Sequence, residues 1–148
     1  MKAGEGVRKL RADDFAKGYL ALLSQLSVVG DVSKERFEEQ FRILESRGDD
    51  YVILVVEDAE KATVMATGTL IVEHKFIRGC SRVGHIEDIV VLSEARGQGL
   101  GLRVVSALME EALRLKCYKV ILDCDEKNVG FYEKLGMKRK EVQMVKYF

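Results

Sequence analysis

The stretch HIEDIVVLSEARGQGLGLRVV, residues 85–105, sets two adjacent carboxylates, Glu87 and Asp88, in an apolar run and follows them with Gly97, Gly99 and Gly101. Adjacent residues of a regular strand point to opposite faces, so one carboxylate would face solvent and the other an ion pair, unless a β-bulge re-aims one of them. The segment Arg96-Gly97-Gln98-Gly99-Leu100-Gly101 lies between a strand pattern and a helix pattern. There, backbone N–H groups and the positive end of a helix can receive a phosphate. The dinucleotide fingerprint would need glycine at position 102, where Leu102 stands, and the Gly-Lys-Ser/Thr of a Walker loop is absent. The plain alternative is a turn that uses glycine for its positive φ and holds no ligand.

The elements that must position these residues follow from periodicity. VRKLRA reads as an opening strand. Asp13 or Asp14 then caps a helix through about Ser27 with Leu20, Leu23 and Leu26 on one stripe, and Ser33 caps a second helix carrying Phe37, Phe41 and Leu44, closed by Gly48. YVILVVE and TVMATGTLIVEHK are β-branched runs joined by DAEKA, an antiparallel hairpin, and VGHIEDIVVL is the next strand. From Gly99 the stripe Gly101, Val104, Val105, Leu108, Ala112 and Leu115 predicts a core-facing helix, with Glu110 and Glu111 off it. YKVILDC, EKNVGFYEKLG and EVQMVKYF then read as strand, short helix and strand. The expected order is β-α-α-β-β-β-α-β-α-β within one domain, residues 1–148, of α/β (α+β) class.

Composition narrows the partners. Lysine and arginine number 24 against 24 aspartates and glutamates, so no global field exists to hold a nucleic-acid backbone, and a charged ligand must be met locally. Cys80, Cys117 and Cys124 lack CxxC spacing, and His74 and His85 lack metal spacing to each other, so no disulfide framework or metal is expected. Cys124 stands in the apolar VILDC run, where a cysteine is ordinarily a small hydrophobe rather than a nucleophile. The opening MKAGEGVRKLRADD has no apolar signal core and no run reaches the ~18 apolar residues of a membrane span, which points to a soluble, reduced, cytoplasmic chain.

Arg96, Gly99 and Gly101 match Arg/Gln-x-x-Gly-x-Gly/Ala, and with that loop the sequence resembles the GNAT superfamily of acyl-CoA-dependent N-acyltransferases. GHIEDIVV, RGQGLG, CYKVILDCDEKNVGFYEKLGM, LSVVGDVS and EHKFIRG together resemble the eukaryotic glucosamine 6-phosphate N-acetyltransferase family over nearly the whole chain. The resemblance implies a GNAT fold: a mixed, mostly antiparallel twisted sheet flanked by helices and splayed at a bulge around residues 87–90. It implies acetyl-CoA as cosubstrate, held by Ile89, Val90 and Val91 and by Arg96, Gly97, Gln98, Gly99, Leu100, Gly101 and Leu102, with Asn128 and Tyr132 beyond them.

Amine attack on a thioester needs one proton removed and one returned to the leaving thiolate. For the acid the resemblance points to Tyr132, whose alternative is an ordinary core aromatic. For the base it points to Glu87, directly or through water, with backbone carbonyls helping. Ser27, Lys75, Arg78, Asp88, Ile89, Tyr118, Lys119 and Asp123 are implied to contact the sugar phosphate, although Lys75 and Arg78 could be solvated and Tyr118 could simply pack. The family is dimeric with crossed C-terminal strands, which would bring Lys146 or Tyr147, in place of an arginine found in many relatives, to a neighbour's site. A GNAT enzyme for another amine and a non-catalytic CoA-binding module are the other readings the residues leave open.

Overall fold

A computed structural model describes residues 6–148 of the chain; the polar opening 1–5, part of the segment read for a leader, lies outside the described residues. Five strands lie side by side in chain order: β1 (Val7–Lys9), β2 (Tyr51–Asp58), β3 (Thr63–His74), β4 (Arg82–Val91) and β5 (Cys117–Ile121). All neighbours are antiparallel except β4 and β5. A parallel pair needs a crossover, and the connection here contains the 15-residue helix α4 (Leu100–Arg114). The other helical pieces are α1 (Tyr19–Leu23), α2 (Lys34–Glu45), a single turn α3 (Ile77–Cys80) between β3 and β4, and α5 (Val129–Glu133).

Each face of the sheet is covered by a different set of apolar side chains. On one face α4 lays Val104, Val105, Leu108 and Ala112 against Val52, Leu54, Val56, Leu70, Val72 and Ile86. Val104, Val105 and Leu108 are wholly buried, each contributing roughly 1.5–3 kcal/mol of transfer free energy. On the other face Tyr19, Leu22 and Phe37 pack on Val55, Val64 and Val90.

A buried ion network ties the first strand to this second layer. Asp14 is fully buried and accepts from both terminal nitrogens of Arg8, at 2.9 and 2.7 Å, and from the Arg11 amide at 2.8 Å. Burial pushes the Asp14 carboxyl up, but these bonds outweigh it and hold it below the usual range. Arg8 and Lys17 also reach Glu57 on β2.

The β3–β4 ladder shifts at one place. Thr69 pairs with Glu87 and Thr67 pairs with Val90, so Gly68 alone faces both Asp88 and Ile89. This is a β-bulge, and its extra residue Asp88 has φ 51°. A Cβ on Gly68 would run into the Ile89 side chain and come within 2.8 Å of Val104 and 2.9 Å of Leu108. The bulge around residues 87–90 and the mostly antiparallel sheet agree with expectation.

Several boundaries differ from the periodic reading. The first helix is broken: residues Ala12–Lys17 are a 3-10 segment, Gly18 turns left-handed at φ 79°, and α1 ends at Leu23, leaving residues 24–33 irregular. Asp14 serves the Arg8 network from inside the first turn, and Arg11 occupies the cap. Helix α2 stops at Glu45, and Gly48 opens a 3-10 turn instead of closing the helix. Strand β5 ends at Ile121, so Cys124 is exposed beyond it instead of packed in a strand. EVQMVKYF forms no strand in the single chain: residues 137–148 carry neither helix nor ladder.

Gly68→Ala should destabilise the protein by about 1–3 kcal/mol, since the added methyl overpacks the bulge against α4. Thermal unfolding followed by circular dichroism should show the midpoint lowered by roughly 3–10 °C; an unchanged midpoint would mean that α4 moves aside freely.

Candidate active site

The bulge decides where the carboxylates point. Partners across the ladder share a face, so Glu87 stands with Thr69 and Val90 with Thr67, on the face away from α4. Ile89 and Val91 return to the α4 core. Asp88, the extra residue, is exposed, yet its charge acts on Tyr19 and Tyr51 and on Glu87. Both carboxylates therefore serve the same side of the sheet. Burial raises the Glu87 carboxyl above its ordinary value, and the charges of Asp123 and Asp88 push the same way while His85 opposes them. The Tyr19 hydroxyl, buried and bonded to Thr67, is pushed up to about 12, with burial the first cause and Asp88 a further one.

Strands β4 and β5 part just before these residues. Their parallel ladder ends at His85 and Ile121, while β4 continues to Val91. The β4 edge that faced β5 is left without a strand partner from Ile86 onward, so the backbone at Ile89, Val90 and Val91 borders an opening in the sheet. At the end of that strand, residues 96–99 form an exposed loop in which Gly97 and Gly99 have φ 83° and 73°. Gly99 caps α4 with its carbonyl accepting from Arg103 at 3.1 Å, and the amides at the start of α4, those of Leu100, Gly101 and Leu102, have no carbonyl one turn back. This is the anion-receiving geometry expected of the loop, on a long helix whose dipole favours it.

Tyr132 lies on α5, half-buried, edge-on to Phe131 at 5.0 Å. Its hydroxyl pKa is raised, first by burial and then by Cys124 and Asp123, so it keeps its proton. Asp123 thus influences both Glu87 and Tyr132. Asn128 is exposed at the start of α5, its amide bonded to Asp125 O at 2.9 Å. The Cys124 thiol pKa is pushed up by partial desolvation and then by Asp123, Glu126 and Asp125 against Arg139, which makes it a poor thiolate nucleophile.

The cations gather at the β3–β4 connection. Lys75 Nζ bonds Glu73 at 2.8 Å. Arg78, Gly79 and Cys80 all have left-handed φ, 53°, 67° and 60°, and the turn closes with the Cys80 amide on Phe76 O at 3.0 Å. That turn sets the Arg78 guanidinium 4.6 Å from the Tyr118 ring centroid, with Lys119 Nζ at 5.6 Å. Ser27 is not joined to this group by any bond among the described residues; it is exposed after α1, its amide donating to Leu23 O at 3.2 Å. Lys146 and Tyr147 lie in the irregular C-terminal segment, Lys146 Nζ 5.3 Å from the Phe148 ring centroid.

Sequence reasoning missed Tyr19, Tyr51, Glu73 and His85, all of which act on the carboxylates or on their neighbours. The two-residue period of β4 would have placed His85 with Glu87, and the ladder register adds the rest. Among the described residues no cluster of histidine, cysteine and acidic side chains could hold a metal ion, and no helix is long and apolar enough to cross a membrane.

The chain is 49% identical over 142 residues to glucosamine 6-phosphate N-acetyltransferase of Arabidopsis thaliana, covering 96% of this chain and 95% of that one. It is 51% identical to probable glucosamine 6-phosphate N-acetyltransferase 2 of Oryza sativa subsp. japonica, over 96% of this chain and 87% of that one. A crystal structure of the Arabidopsis thaliana glucosamine-6-phosphate N-acetyltransferase superposes with a TM-score of 0.94 at 48% identity, over 96% of this chain and 97% of that one. The pattern of the Acetyltransferase (GNAT) family matches residues 9–137. With a glycine-started helix beside an opened sheet and a fold shared over nearly its full length, the chain belongs to the GNAT acetyltransferase family.

Proposed function

We propose that this chain transfers the acetyl group of acetyl-CoA to the amine of glucosamine 6-phosphate, giving N-acetylglucosamine 6-phosphate and CoA. The observation that carries the reading is the bulge, which sets Glu87 and Asp88 beside the opening between β4 and β5 and in line with the glycine loop. The relatives that bear this enzyme's name match over nearly the whole chain. The loop amides of residues 97–102 and the start of α4 hold the cosubstrate's pyrophosphate, with Arg96 adding charge. Acetyl-CoA supplies the activated acyl group as a thioester. Lys75, Arg78 and Lys119 meet the sugar phosphate, and Tyr118 holds the guanidinium in place for it. Asp88, Asp123 and Ser27 are left for the sugar hydroxyls and amine.

Catalysis then rests on two proton positions in a direct transfer. Glu87, its pKa raised by burial, takes the proton that the amine must lose, directly or through water. Backbone amides along Ile89 to Val91, on the unpaired edge, donate to the developing oxyanion. The Tyr132 hydroxyl, still protonated, donates to the departing sulfur. Thiol release from acetyl-CoA across phosphorylated and unphosphorylated amino sugars tests the assignment: turnover should require the 6-phosphate, and equal rates without it would overturn the substrate. Replacing Tyr132 by phenylalanine should lower kcat by ~10²–10⁴-fold with little change in acetyl-CoA affinity. A near-wild-type kcat would leave the residue a packing role only.

A second copy of the chain completes the proposal. Val142, Met144, Val145, Tyr147 and Phe148 are exposed, from 68% for Val145 upward, and β5 is an edge strand. An apolar tail and an open sheet edge on one molecule satisfy each other in a twofold dimer. Lys146 or Tyr147 would thereby approach Lys75 and Arg78 of the other copy. Deleting residues 145–148 should weaken dimerisation, by light scattering, together with sugar-phosphate binding, while acetyl-CoA binding persists; a fully active monomer would refute the shared site.

A further inference from the structure

His85 has no part in the scheme above, yet its surroundings are built. Its Nε2 lies 2.9 Å from Glu73 Oε1, and the other oxygen of Glu73 lies 2.8 Å from Lys75 Nζ. The bonds to Lys75 first and His85 second hold the Glu73 carboxyl below its usual range, so it is an ionised, acceptor-only partner. Nε2 must then carry the hydrogen that it donates to Glu73. In register His85 stands opposite Ile71 of β3 and Ile121 of β5, so its strand neighbours on both sides are apolar. Two positions further along β4, on the same face and ~7 Å away along the strand, is Glu87.

We infer that His85, clamped by Glu73 and two positions from Glu87 on the same face of β4, is a positioning residue for acyl transfer that acts on the carboxylate of Glu87. The inference rests on the reading of Glu87 as the proton acceptor. The groups that act on Glu87 are Asp123 after β5 and Asp88 and His85 from β4, and Tyr51 of β2 feels its charge. Burial, Asp123 and Asp88 favour the neutral acid, and His85 acts against them. Lys75 and Lys119 sit at the phosphate end of the face, and Lys75 is neutralised by Glu73. The fork at Glu73 therefore joins the cation proposed for the sugar phosphate to the residue that governs the base.

Removing His85 removes an influence that lowers the Glu87 pKa, so the pKa rises and the acidic limb of the kcat/KM profile moves to higher pH. With His85→Gln the limb should move up by ~0.5–1 unit. His85→Lys, which restores a cation, should bring it back toward wild type. A uniform loss at every pH with the limb unmoved, in a variant folded by circular dichroism, overturns the inference, because that is what a structural role alone produces. Should His85→Gln be too slow to profile, the carboxyl 13C shift of Glu87 titrated in the free protein must show the same upward movement, and an unmoved midpoint overturns it equally. Glu87→Gln separates the two levels. An acidic limb that survives Glu87→Gln refutes Glu87 as the base, whereas a limb lost with Glu87→Gln but unmoved in His85→Gln refutes the role of His85 alone.

Discussion

One extra residue in β4 carries the organisation of this protein. Where Gly68 meets both Asp88 and Ile89, the ladder lets Glu87 and Val90 lie on one face while Ile89 and Val91 stay with α4. In an unbulged strand Ile89 would turn away from α4 and Asp88 would be driven toward it. Holding Asp88 at positive φ costs roughly 1–2 kcal/mol, offset by Ile89 seated against Gly68, Val104 and Leu108. The glycine is required by that close approach: a methyl there has no space.

The bulge works because the two faces of the sheet have different duties. The α4 face is dry and closely packed and fixes the strands, so the α4 start and the loop at residues 96–99 are held at the end of β4. The opposite face carries α1 and α2 over an apolar zone of Val55, Val64 and Val90. Thr67 ends that apolar zone by donating to Leu54 O at 2.8 Å and pairing with the Tyr19 hydroxyl. Beyond it come Glu87, His85 and Glu73 on alternate positions. The Arg8–Asp14–Glu57–Lys17 network anchors the segment before α1 to β1 and β2 at the far side of the sheet, so that Tyr19 reaches Thr67 from a fixed support.

Charge is distributed along this face by sign. Glu87, Asp88 and Asp123 gather at the opening, where burial and then the charges of Asp123 and Asp88 raise the Glu87 carboxyl. Lys75, Arg78 and Lys119 gather at the β3–β4 connection and the outer strand, where the turn holds three successive left-handed residues and presents Arg78 to Tyr118. A ligand with a protonatable amine at one end and a phosphate at the other matches that gradient, even though the whole chain carries no net charge.

Much of this was legible in the residues. The 3.6 period of Val104, Val105, Leu108 and Ala112, the β-branched runs of β2 and β3, and glycines at 97 and 99 each state a local preference strong enough to survive folding. The bulge itself was expected from family resemblance. What residue order could not supply is who stands opposite whom. That Gly68 must be glycine, that Asp14 is a buried partner of Arg8 from inside the first turn, and that Glu73 holds His85 are all consequences of how distant parts of the chain meet. EVQMVKYF shows the limit most directly: its β-branched and aromatic residues favour a strand, but a strand exists only when another edge completes its hydrogen bonds, and within the single chain this segment pairs with none. Local propensity is written in neighbouring residues; pairing, burial and the charges they create are decided only when the tertiary structure chooses the partners.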